Sequence, residues 1–458
     1  MTNPARDALV FSLTLRRNGK LSRLEKIKAK QAVIGIVGLG YVGLPLARAF
    51  CHQKIHVVGF DIDQEKIDTI EKNQSYIKHI GDDAIREMRA DGLFNVTTDF
   101  SQIADVDVII ICVPTPLSKH RDPDLGPVLN TGKSIMPHMQ KGQMVILESS
   151  TYPGTTDTEL ASVLEQSGLK KDLDFLLAYS PEREDPGNED FSTSTIPKIV
   201  GADTPKAREM AAAVYEGVIS QIVPVASSRT AEAIKLTENI FRSVNIAMVN
   251  ELKVIFDAMD IDVWDVIDGA ATKPFGFMPF YPGPGLGGHC IPIDPFYLTY
   301  KAREYDVPTR FIELAGEINT KMPQLVVSKT MQALSLVCEK ALNGSKVLII
   351  GMAYKKNIDD IRESPSLVLT ELLEAEGAKV AYHDPFVPII PKTREHIQLA
   401  GRTSLDLTPE TVSGFDAVLI STNHDGVDYQ MMADHATLIV DTRNAMKEFS
   451  GKAVVVKA

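Results

Sequence analysis

The sequence predicts an α/β protein with two doubly wound parallel sheets joined by a long central helix. Short apolar runs alternate with helical patterns in the first half of the chain and again in its last quarter. Several of these runs end in polar or glycine-rich turns, as the strands of such sheets do. Between the two regions, residues 231–259 form a stretch without Gly or Pro in which apolar residues recur at helical spacing.

The composition is that of a globular protein, with 458 residues, 44% of them hydrophobic and 24% charged. A net charge of -12 argues against a general nucleic-acid binder, which needs a basic surface. The longest apolar runs are strand-sized, whereas a membrane helix needs about 20 apolar residues. Four scattered cysteines without a Cys-x-x-Cys pair predict neither a disulfide framework nor a structural metal, so we expect a reducing, cytoplasmic location.

The first 30 residues differ from the rest of the chain. They contain eight Lys and Arg against two acidic residues, so the remainder is more acidic than the net charge indicates. We interpret residues 1–30 as an appended basic arm. Such an arm is either a solvated, mobile terminus or a segment in electrostatic contact with the acidic body or with an anionic partner.

The first α/β region covers residues 31–228. Its strands are predicted at Ala32–Val37, His56–Phe60, Asp107–Val113, Met144–Glu148, Phe175–Tyr179 and Lys198–Val200. The sequence Gly38-Leu-Gly40-Tyr41-Val42-Gly43 and a helix over Leu44–His52 separate the first two strands, and Asp61 follows the second. Strand, glycine turn, helix, strand and acid in this order are typical of a Rossmann-like dinucleotide-binding unit.

Each residue of this pattern has a physical role. Gly38 permits the tight turn, Gly40 lets the backbone approach a pyrophosphate, and Gly43 lets the helix pack on the strand. The N–H groups of the helix N-terminus then face the phosphates. Asp61 is placed to accept from the ribose hydroxyls and to repel a 2′-phosphate, which favours NAD over NADP, although Lys66 tempers that preference. The alternative is a glycine turn in an ordinary sheet.

Further site residues are expected where strands end, because ligands bind beyond the carboxyl ends of the strands in such sheets. The candidates for the cofactor are Tyr41, Val42, Pro114, Thr115 and Thr151, and those for the substrate are Glu182 and Arg183.

The middle region, residues 229–342, combines the long helix with a loop rich in Gly, Pro and aromatic residues and a second helical stretch over Pro308–Leu342. Lys235 and Asn239 are four residues apart and share one helix face, which is either functional or a solvated edge. Cys290 follows two glycines and precedes two prolines, a setting that is typical of a nucleophile rather than a buried hydrophobe. Asp294 is close enough in sequence to share its site. A zinc pair with the adjacent His289 is disfavoured, because neighbouring side chains rarely bind one metal.

The last region, residues 343–458, repeats the strand–helix rhythm. Its strands are predicted at Lys346–Ile350, Lys379–His383, Ala417–Ser421 and Leu438–Val440. Lys355 and Arg362 follow the first of them and Arg443 the last, where cations suit the phosphates of a ligand.

Taken together, these motifs resemble the UDP-glucose/GDP-mannose dehydrogenase family over residues 31–446. The resemblance rests on Gly-Leu-Gly-Tyr-Val-Gly43, Glu-Ser-Ser-Thr151, Pro-Glu182, Lys235-Leu-Thr-Glu-Asn239, Gly-Gly-His-Cys290 with Asp294, and Gly-Met-Ala-Tyr-Lys355 with Arg362. It implies an enzyme that oxidises the C6 alcohol of a nucleotide sugar to the acid with two NAD⁺. His289 and Ile293, where UDP-glucose members typically carry Ser and Lys, are most similar to the bacterial UDP-N-acetylglucosamine branch.

The resemblance also implies roles for single residues. Cys290 would add to the aldehyde and form first a thiohemiacetal and then a thioester. Lys235 and Asn239 would stabilise oxyanions, Asp294 and Thr151 would order water, and Glu182 would serve acid/base steps. Arg362 is expected at the cofactor, and the expected substrate contacts are Glu182, Arg183, Lys235, Asn239, Tyr281, Gly285, Gly287, Lys355 and Arg443. The partners expected besides the UDP-sugar are further copies of the chain, in a homodimer or a higher homo-oligomer.

Several alternatives stay open. UDP-N-acetylmannosamine, UDP-N-acetylgalactosamine or UDP-glucose could replace UDP-N-acetylglucosamine as substrate. A 3-hydroxyacid dehydrogenase shares the first domain and a helical spine with a lysine, but it needs neither Cys290 nor a second α/β region. A non-catalytic nucleotide-sensing protein would not need the cysteine, lysine and aspartate.

Overall fold

The computed structural model describes residues 21–77, 80–118, 122–183, 194–288, 291–393 and 395–458. The chain divides into two compact units, Met1–Lys235 and Leu236–Ala458. Each unit contains a largely parallel sheet, and one long helix runs through the unit boundary, which confirms the predicted fold class.

The first unit contains a sheet whose strands are β1 (Val33–Val37), β2 (His56–Phe60), β3 (Phe94–Thr97), β4 (Val108–Ile111), β5 (Met144–Leu147), β6 (Leu176–Tyr179), β7 (Lys198–Gly201) and β8 (Ile222–Val225). In the described residues their order is β3-β2-β1-β4-β5-β6-β7-β8. All neighbours pair in parallel except β6 and β7, which are antiparallel. The order reverses at β1, so the carboxyl ends of β1 and β4 flank the switch point at which dinucleotides bind.

Helices cover both faces of this sheet. They are α1 (Arg23–Lys28), α2 (Gly43–His52), α3 (Gln64–Glu71), α4 (Asp82–Ala90), α5 (Gly126–Ile135), α6 (Ala161–Leu164) and α7 (Pro205–Tyr215). Alternate residues of one strand therefore belong to different cores: Ile34 and Ile36 join one cluster, whereas Val33 and Val37 join the other. This is why the central strands are apolar runs rather than alternating ones.

The described end of the basic arm, residues 21–30, packs on the first unit. Ser22 caps α1, and Ile27 is buried. The side chains of Arg23 and Lys26 each reach the carboxylate of Asp107 at 3.2 Å, and the Val33 N–H donates to the same group at 3.1 Å. Residues 21–30 thus contact the acidic body through a buried carboxylate at the start of β4, which these partners stabilise. Residues 1–20 of the predicted arm lie outside the described residues, and the role of the arm stays a prediction.

The middle of the chain is helical. Helix α8 (Ser228–Ala258) has 31 residues, three residues earlier at its start than predicted. It is followed by α9 (Val263–Ala271), α10 (Asp294–Arg303) and α11 (Arg310–Cys338). Within the described ranges, no helix has the combination of length and apolar character that crossing a bilayer requires.

The second unit contains a smaller sheet made of β9 (Lys346–Ile350), β10 (Lys379–His383), β11 (Ala417–Ile420), β12 (Leu438–Asp441) and β13 (Val454–Lys457). Its order is β10-β9-β11-β12-β13, and every pairing is parallel. The helices around it are α12 (Pro365–Ala375), α13 (Pro409–Ser413) and α14 (Tyr429–His435). The strands bring their polar carboxyl-terminal residues to one edge of the sheet.

Candidate active site

The glycine turn after β1 is fixed by its surroundings at two of its three glycines. Gly38 has φ +95°, and a Cβ there would lie 2.7 Å from the carbonyl oxygen of Cys112. A Cβ on Gly43 would overlap the Gly38 carbonyl oxygen. A Cβ on Gly40, by contrast, would meet no described atom within 4 Å. Packing in the described chain therefore does not require a glycine at position 40, whereas the close approach of a pyrophosphate does.

Asp61 is tied directly to this turn. Its Oδ2 accepts from the Leu39 N–H at 2.9 Å and from Lys66 Nζ at 3.1 Å, and its Oδ1 accepts from the Asp63 N–H at 3.0 Å. The carboxylate is buried at the end of β2 with its orientation fixed by backbone donors. Lys66 was expected to temper the preference for NAD over NADP. It forms an ion pair with Asp61, the residue from which that preference was inferred. The turn, the N-terminus of α2 and this carboxylate fit a dinucleotide.

The remaining cofactor candidates lie around the same sheet edge. Tyr41 is 36% exposed, and Val42 is the N-cap residue of α2. Pro114 and Thr115 follow β4, and Thr115 is buried. Thr151 follows β5 and is fully buried.

Glu232, a carboxylate that was not predicted from the sequence, contacts Thr151. Glu232, in the first turns of α8, accepts from the Thr151 hydroxyl at 3.4 Å, from the Gly154 N–H at 2.7 Å and from both the N–H and the hydroxyl of Thr156 at 2.9 and 2.7 Å. Burial raises the pKa of Glu232 to about 7. Because its proton is donated to Glu232, the Thr151 hydroxyl is left to accept from a water or ligand. The sequence signal that could have identified Glu232 is an acidic residue within the apolar part of a predicted helix.

Lys235 and Glu182, two predicted site residues of the first unit, are in contact. Lys235 is buried, and its Nζ donates to the backbone carbonyl of Glu182 at 2.5 Å. Glu182 Oε1 accepts from the Arg183 N–H at 2.7 Å, and Arg183 Nη1 donates to the Pro197 carbonyl at 2.5 Å. The lysine ammonium and the Glu182 segment are therefore held in a fixed relation.

A second missed group adjoins Glu182. Lys198, the first residue of β7, forms ion pairs with Glu148 at 3.1 Å and with Glu182 at 3.7 Å. Tyr215 donates to the other oxygen of Glu148 at 2.5 Å. Burial raises the pKa of Glu148. Burial alone would lower the pKa of Lys198, but the attraction of Glu148 and Glu182 outweighs it, so that pKa is raised and Lys198 stays a cation.

In the second unit, Asn239 and Asp294 form a buried pair. The Asn239 Nδ2 donates to Asp294 Oδ2 at 2.6 Å, and Asp294 is the first residue of α10. His289 and Cys290 lie outside the described residues, so the predicted nucleophile has no described position. Of the predicted catalytic residues in this unit, Asn239 and Asp294 are therefore the two whose geometry the structure describes.

The glycine-rich loop packs on the segment that follows β9. Gly285 has φ +148°, and the Gly288 N–H donates to the Arg362 carbonyl at 3.0 Å. A Cβ on Gly287 would overlap the side chain of Tyr354, so the close packing requires a glycine there. Lys355 directly follows Tyr354 and is partly buried.

The other cations and the aromatic residue of this unit have internal partners. Arg362 binds Asp360 through Nε at 3.0 Å and Nη2 at 2.6 Å. Arg443 Nε donates to the Ser421 carbonyl at 2.8 Å, and burial lowers the pKa of Arg443 to about 10. Tyr281 stacks on Trp264, with 5.3 Å between ring centroids, and its hydroxyl donates to Asp268 at 2.8 Å.

Among the residues that the structure describes, no three His, Cys, Asp or Glu side chains are grouped to hold a metal ion. The described site residues include buried ammonium, amide and carboxylate groups. Such groups stabilise oxyanions and move protons.

Comparison with known families gives three consecutive matches. The NAD binding domain of the UDP-glucose/GDP-mannose dehydrogenase family matches residues 32–219, its central domain residues 229–321, and its UDP binding domain residues 348–448.

Individual relatives share about a third of the residues. UDP-N-acetyl-D-glucosamine 6-dehydrogenase of Pseudomonas aeruginosa is 38% identical over 360 residues, 78% of this chain and 84% of the relative. UDP-N-acetyl-D-mannosamine dehydrogenase of Pyrococcus horikoshii is 33% identical over 425 residues, 91% of this chain and 96% of the relative. A solved structure of a UDP-D-ManNAc dehydrogenase from Pyrococcus horikoshii superposes with a TM-score of 0.84 at 32% identity, covering 93% of this chain and 98% of that one.

Proposed function

Because the chain belongs to the UDP-glucose/GDP-mannose dehydrogenase family, we propose that it oxidises the C6 alcohol of a UDP-N-acetylhexosamine to the uronic acid. It is an NAD-dependent nucleotide-sugar dehydrogenase. The preferred sugar in this proposal is N-acetylglucosamine. The observation that carries the choice is the 38% identity to a UDP-N-acetyl-D-glucosamine 6-dehydrogenase, together with His289 and Ile293 in the cysteine loop. The 33% identity to a UDP-N-acetyl-D-mannosamine dehydrogenase makes N-acetylmannosamine the second candidate.

The cofactor would be held by the first unit. The turn from Gly38 to Gly43 and the N-terminus of α2 would bind the pyrophosphate, and Asp61 the ribose hydroxyls. NAD⁺ supplies the hydride acceptor for both oxidations. Thr115 and Thr151, both buried near the same sheet edge, would line the rest of the site.

The carbon chemistry would pass through Cys290. The alcohol first loses a proton and a hydride and becomes an aldehyde. The Cys290 thiolate then adds to the aldehyde carbon, which gives a thiohemiacetal with a hydrogen on a tetrahedral carbon. Loss of that hydrogen as hydride leaves a thioester, and water cleaves it to the acid and the free thiol. Each oxidation removes two electrons, so one acid is formed for every two hydrides transferred.

The described side chains support these steps because hydrogen bonds fix their orientations. The Lys235 ammonium is buried and oriented by the Glu182 carbonyl, so it can stabilise a developing oxyanion without reorganising. The Asn239 amide is oriented by Asp294, whose carboxylate can also order water. Glu182, partly exposed at the edge of its buried cluster, is the proposed acid/base group of thioester hydrolysis.

The nucleotide-sugar would be bound by the second unit's cations and loop. We propose Lys355 and Arg443 for the phosphates and the loop with Tyr281, Gly285 and Gly287 for the nucleotide and sugar. Arg362, expected at the cofactor, is paired with Asp360 in the same unit, and its cofactor role is retained as a proposal.

Two other functions are less well supported. A 3-hydroxyacid dehydrogenase needs no second α/β unit, whereas the described residues of this chain form a second, five-stranded sheet and residues 348–448 match a UDP binding domain. A nucleotide sensor without catalysis would not need the buried Lys235 and the Asn239–Asp294 pair. Acid formation distinguishes both functions from the proposed one.

A substrate panel tests the choice of sugar. Purified enzyme with NAD⁺ is given UDP-GlcNAc, UDP-ManNAc, UDP-GalNAc, UDP-glucose and GDP-mannose, and NADH absorbance gives kcat/KM for each. The proposal predicts the highest value for UDP-GlcNAc and a low value for UDP-glucose. A higher kcat/KM for UDP-glucose would refute the sugar assignment, and no NADH with any substrate would refute the enzymatic function.

The proposed working form is a cytoplasmic homodimer that supplies surface-polysaccharide precursors. The proposed domains are the NAD-binding residues 31–228, the central residues 229–342 and the UDP-sugar-binding residues 343–458. Helix α8 supports the dimer because Phe241, Met248, Val254 and Ile255 are 44–47% exposed, a large apolar area for one surface. Light scattering should give twice the monomer mass at micromolar concentration, and a monomer mass would contradict the dimer.

A further inference from the structure

Lys198 is a buried cation between two carboxylates. Its side chain is 4% exposed, and its Nζ lies 3.1 Å from Glu148 and 3.7 Å from Glu182. The two carboxylates differ in exposure: Glu148 is fully enclosed, whereas the Glu182 side chain is 16% exposed. Lys198 therefore links a purely internal acid to one that can meet a ligand or water.

The position of Lys198 is fixed from the inside. Glu148 is held by the Tyr215 hydroxyl at 2.5 Å, and the ammonium of Lys198 lies 5.0 Å from the centre of the Tyr215 ring. A cation over an aromatic face and beside a carboxylate has little freedom to move. A buried ammonium that lost both carboxylates would be costly, which keeps the arrangement together.

The segment that carries Glu182 is hydrogen-bonded to the backbone on either side of Lys198. The Ser180 hydroxyl donates to the Ile199 carbonyl at 2.8 Å, and Arg183 donates to the Pro197 carbonyl at 2.5 Å. These two bonds flank the ion pair, so the Glu182 carboxylate faces the ammonium in a defined register. Lys235 donates to the Glu182 carbonyl and thereby also fixes this segment.

We propose that Lys198 is a positioning residue of the reaction and acts through Glu182. Its ammonium holds the Glu182 carboxylate in the orientation that serves the water attacking the Cys290 thioester, and Glu148 balances its charge. The inference rests on the proposed function and deepens it. Lys198 itself touches neither substrate nor cofactor in this account.

The consequence is a specific slow step. Without the ammonium, the Glu182 carboxylate loses its orientation while the residues of hydride transfer keep theirs. Both oxidations then proceed, but water cleaves the thioester slowly, and misplacing a catalytic group by about 1 Å costs on the order of 100-fold in rate. The acyl-enzyme on Cys290 should therefore accumulate.

The experiment compares full-length wild type with Lys198→Met, Lys198→Arg and the control Lys171→Met. Lys171 forms an ion pair with Asp203 at 2.7 Å before β6 in the same unit and has no assigned role in the reaction. Stopped-flow NADH absorbance with UDP-GlcNAc and NAD⁺ gives burst and steady state, intact-mass spectrometry of quenched enzyme gives the adduct, and thermal melting gives stability.

For Lys198→Met we expect kcat to fall about 10- to 100-fold, with KM for the nucleotide sugar changed less than about threefold. A burst approaching two NADH per enzyme should precede the slow phase, with a covalent adduct of nucleotide-sugar acid mass. Lys198→Arg should recover most of kcat, because it keeps the cation. Lys171→Met should lower the melting temperature without burst or adduct.

Two further variants test the route of the effect. In a Glu182→Gln background, Lys198→Met should change kcat less than about twofold, because Glu182 carries the effect. If Lys198→Met does not fold, the double variant Lys198→Met/Glu148→Gln removes the cation and its buried counter-charge together and should show the same burst and adduct.

The inference is overturned if Lys198→Met keeps the wild-type kcat, if it loses activity without burst or adduct as a purely destabilised enzyme would, or if its effect is undiminished with Gln at position 182. Wild-type enzyme that forms no acid from any nucleotide sugar would instead overturn the proposed function, and this inference with it.

Discussion

The two α/β units build the same turn after their first strand. In the first unit the Gly38 N–H donates to the Phe60 carbonyl at 2.8 Å, and in the second the Gly351 N–H donates to the His383 carbonyl at 2.9 Å. Both glycines have a positive φ, +95° and +86°. In both units the next strand ends in an aspartate, Asp61 or Asp384, that accepts from the residue after the glycine.

The two aspartates differ in how many donors they serve. Among the described residues, three donors reach Asp61, and its Oδ1 accepts only the Asp63 N–H. Asp384 is saturated by five donors: the N–H groups of Met352, Ala353, Phe386 and Val387 and the Nε2 of the fully buried His424. A carboxylate offers about four acceptor sites, so Asp61 can still accept from a ribose hydroxyl and Asp384 cannot.

The chain after the turn differs as well. Helix α2 begins at Gly43, five residues after Gly38, whereas α12 begins at Pro365, fourteen residues after Gly351. The first turn therefore presents a helix N-terminus to a phosphate and the second presents a loop with Lys355. A shared turn geometry is thus not enough for dinucleotide binding, because the helix start and the acceptor capacity decide it.

The largest expected effect separates the chemistry from cofactor binding. Cys290→Ala should lower acid formation by several orders of magnitude, because no thiohemiacetal can form. The Kd for NAD⁺, measured by protein fluorescence, should stay within about twofold, since the proposed cofactor residues other than Arg362 belong to the first unit. Cys290→Ser should show a slowly hydrolysed ester by mass spectrometry. Nearly normal acid formation by Cys290→Ala would remove the thiol from the mechanism.

The two turns should respond oppositely to added methyl groups. Gly40→Ala meets no described atom and should leave thermal stability unchanged while raising the Kd for NAD⁺ at least about tenfold, by occupying pyrophosphate space. Gly351→Ala would overlap the Thr422 backbone at a positive φ and should destabilise the protein by about 1–3 kcal/mol. Unchanged NAD⁺ affinity in Gly40→Ala would contradict the assigned use of the first turn.

Replacing Asp61 and Asp384 in turn tests whether the two aspartates have different roles. Asp61→Asn should reduce the NAD⁺ over NADP⁺ preference in kcat/KM about tenfold, because the repulsion of a 2′-phosphate is lost. Asp384→Asn should leave that ratio unchanged and lower stability by about 3 kcal/mol, since the buried His424 loses its charged partner. Chemical denaturation and initial rates with both cofactors measure the two effects. Equal kcat/KM values of the wild-type enzyme with NAD⁺ and NADP⁺ would contradict the role assigned to Asp61.

A smaller effect concerns pH, where buried carboxylates of the two units behave oppositely. Burial raises the pKa of Glu232 to about 7, so the folded state takes up a proton and stability should fall as pH rises from about 4.5 to 7. Burial would raise the pKa of Asp384 too, but His424 and backbone N–H groups outweigh it and lower that pKa, so its contribution should be lost as pH falls below about 4.

Glu232→Gln should therefore flatten the stability curve between pH 4.5 and 7, by on the order of 1 kcal/mol for each pH unit of that interval. Asp384→Asn should flatten the curve below about pH 4. Urea denaturation at a series of pH values measures both. Curves for both variants that run parallel to wild type across these intervals would contradict the assigned protonation states.

The sequence predicted the strands of the two described sheets except three of the four edge strands. The bounds of β2, of β9 and of the edge strand β10 agree with the prediction. The three strands that were missed, β3, β8 and β13, are all at sheet edges and partly exposed. Their weaker burial leaves a weaker hydrophobic pattern.

Site residues were predictable where they belong to a local sequence pattern, and were missed where they are defined by contacts with residues distant in the sequence. The glycine turn and Asp61 were predictable because the strand, the turn and the acid have fixed spacing. Lys198, Glu148 and Glu232 were not, because Lys198 and Glu148 are 50 residues apart, Glu232 and Thr151 are 81 residues apart, and only the folded sheet brings them together. The roles of the predicted residues, including Arg362 with its Asp360 partner, stay predictions.

The most direct test of the whole account is the stoichiometry of the wild-type reaction. A limiting amount of UDP-GlcNAc is converted completely with excess NAD⁺, NADH is counted by absorbance, and the sugar product is identified by mass spectrometry. We expect two NADH per sugar and the uronic acid as the product. One NADH per sugar with aldehyde as the final product would contradict the four-electron oxidation.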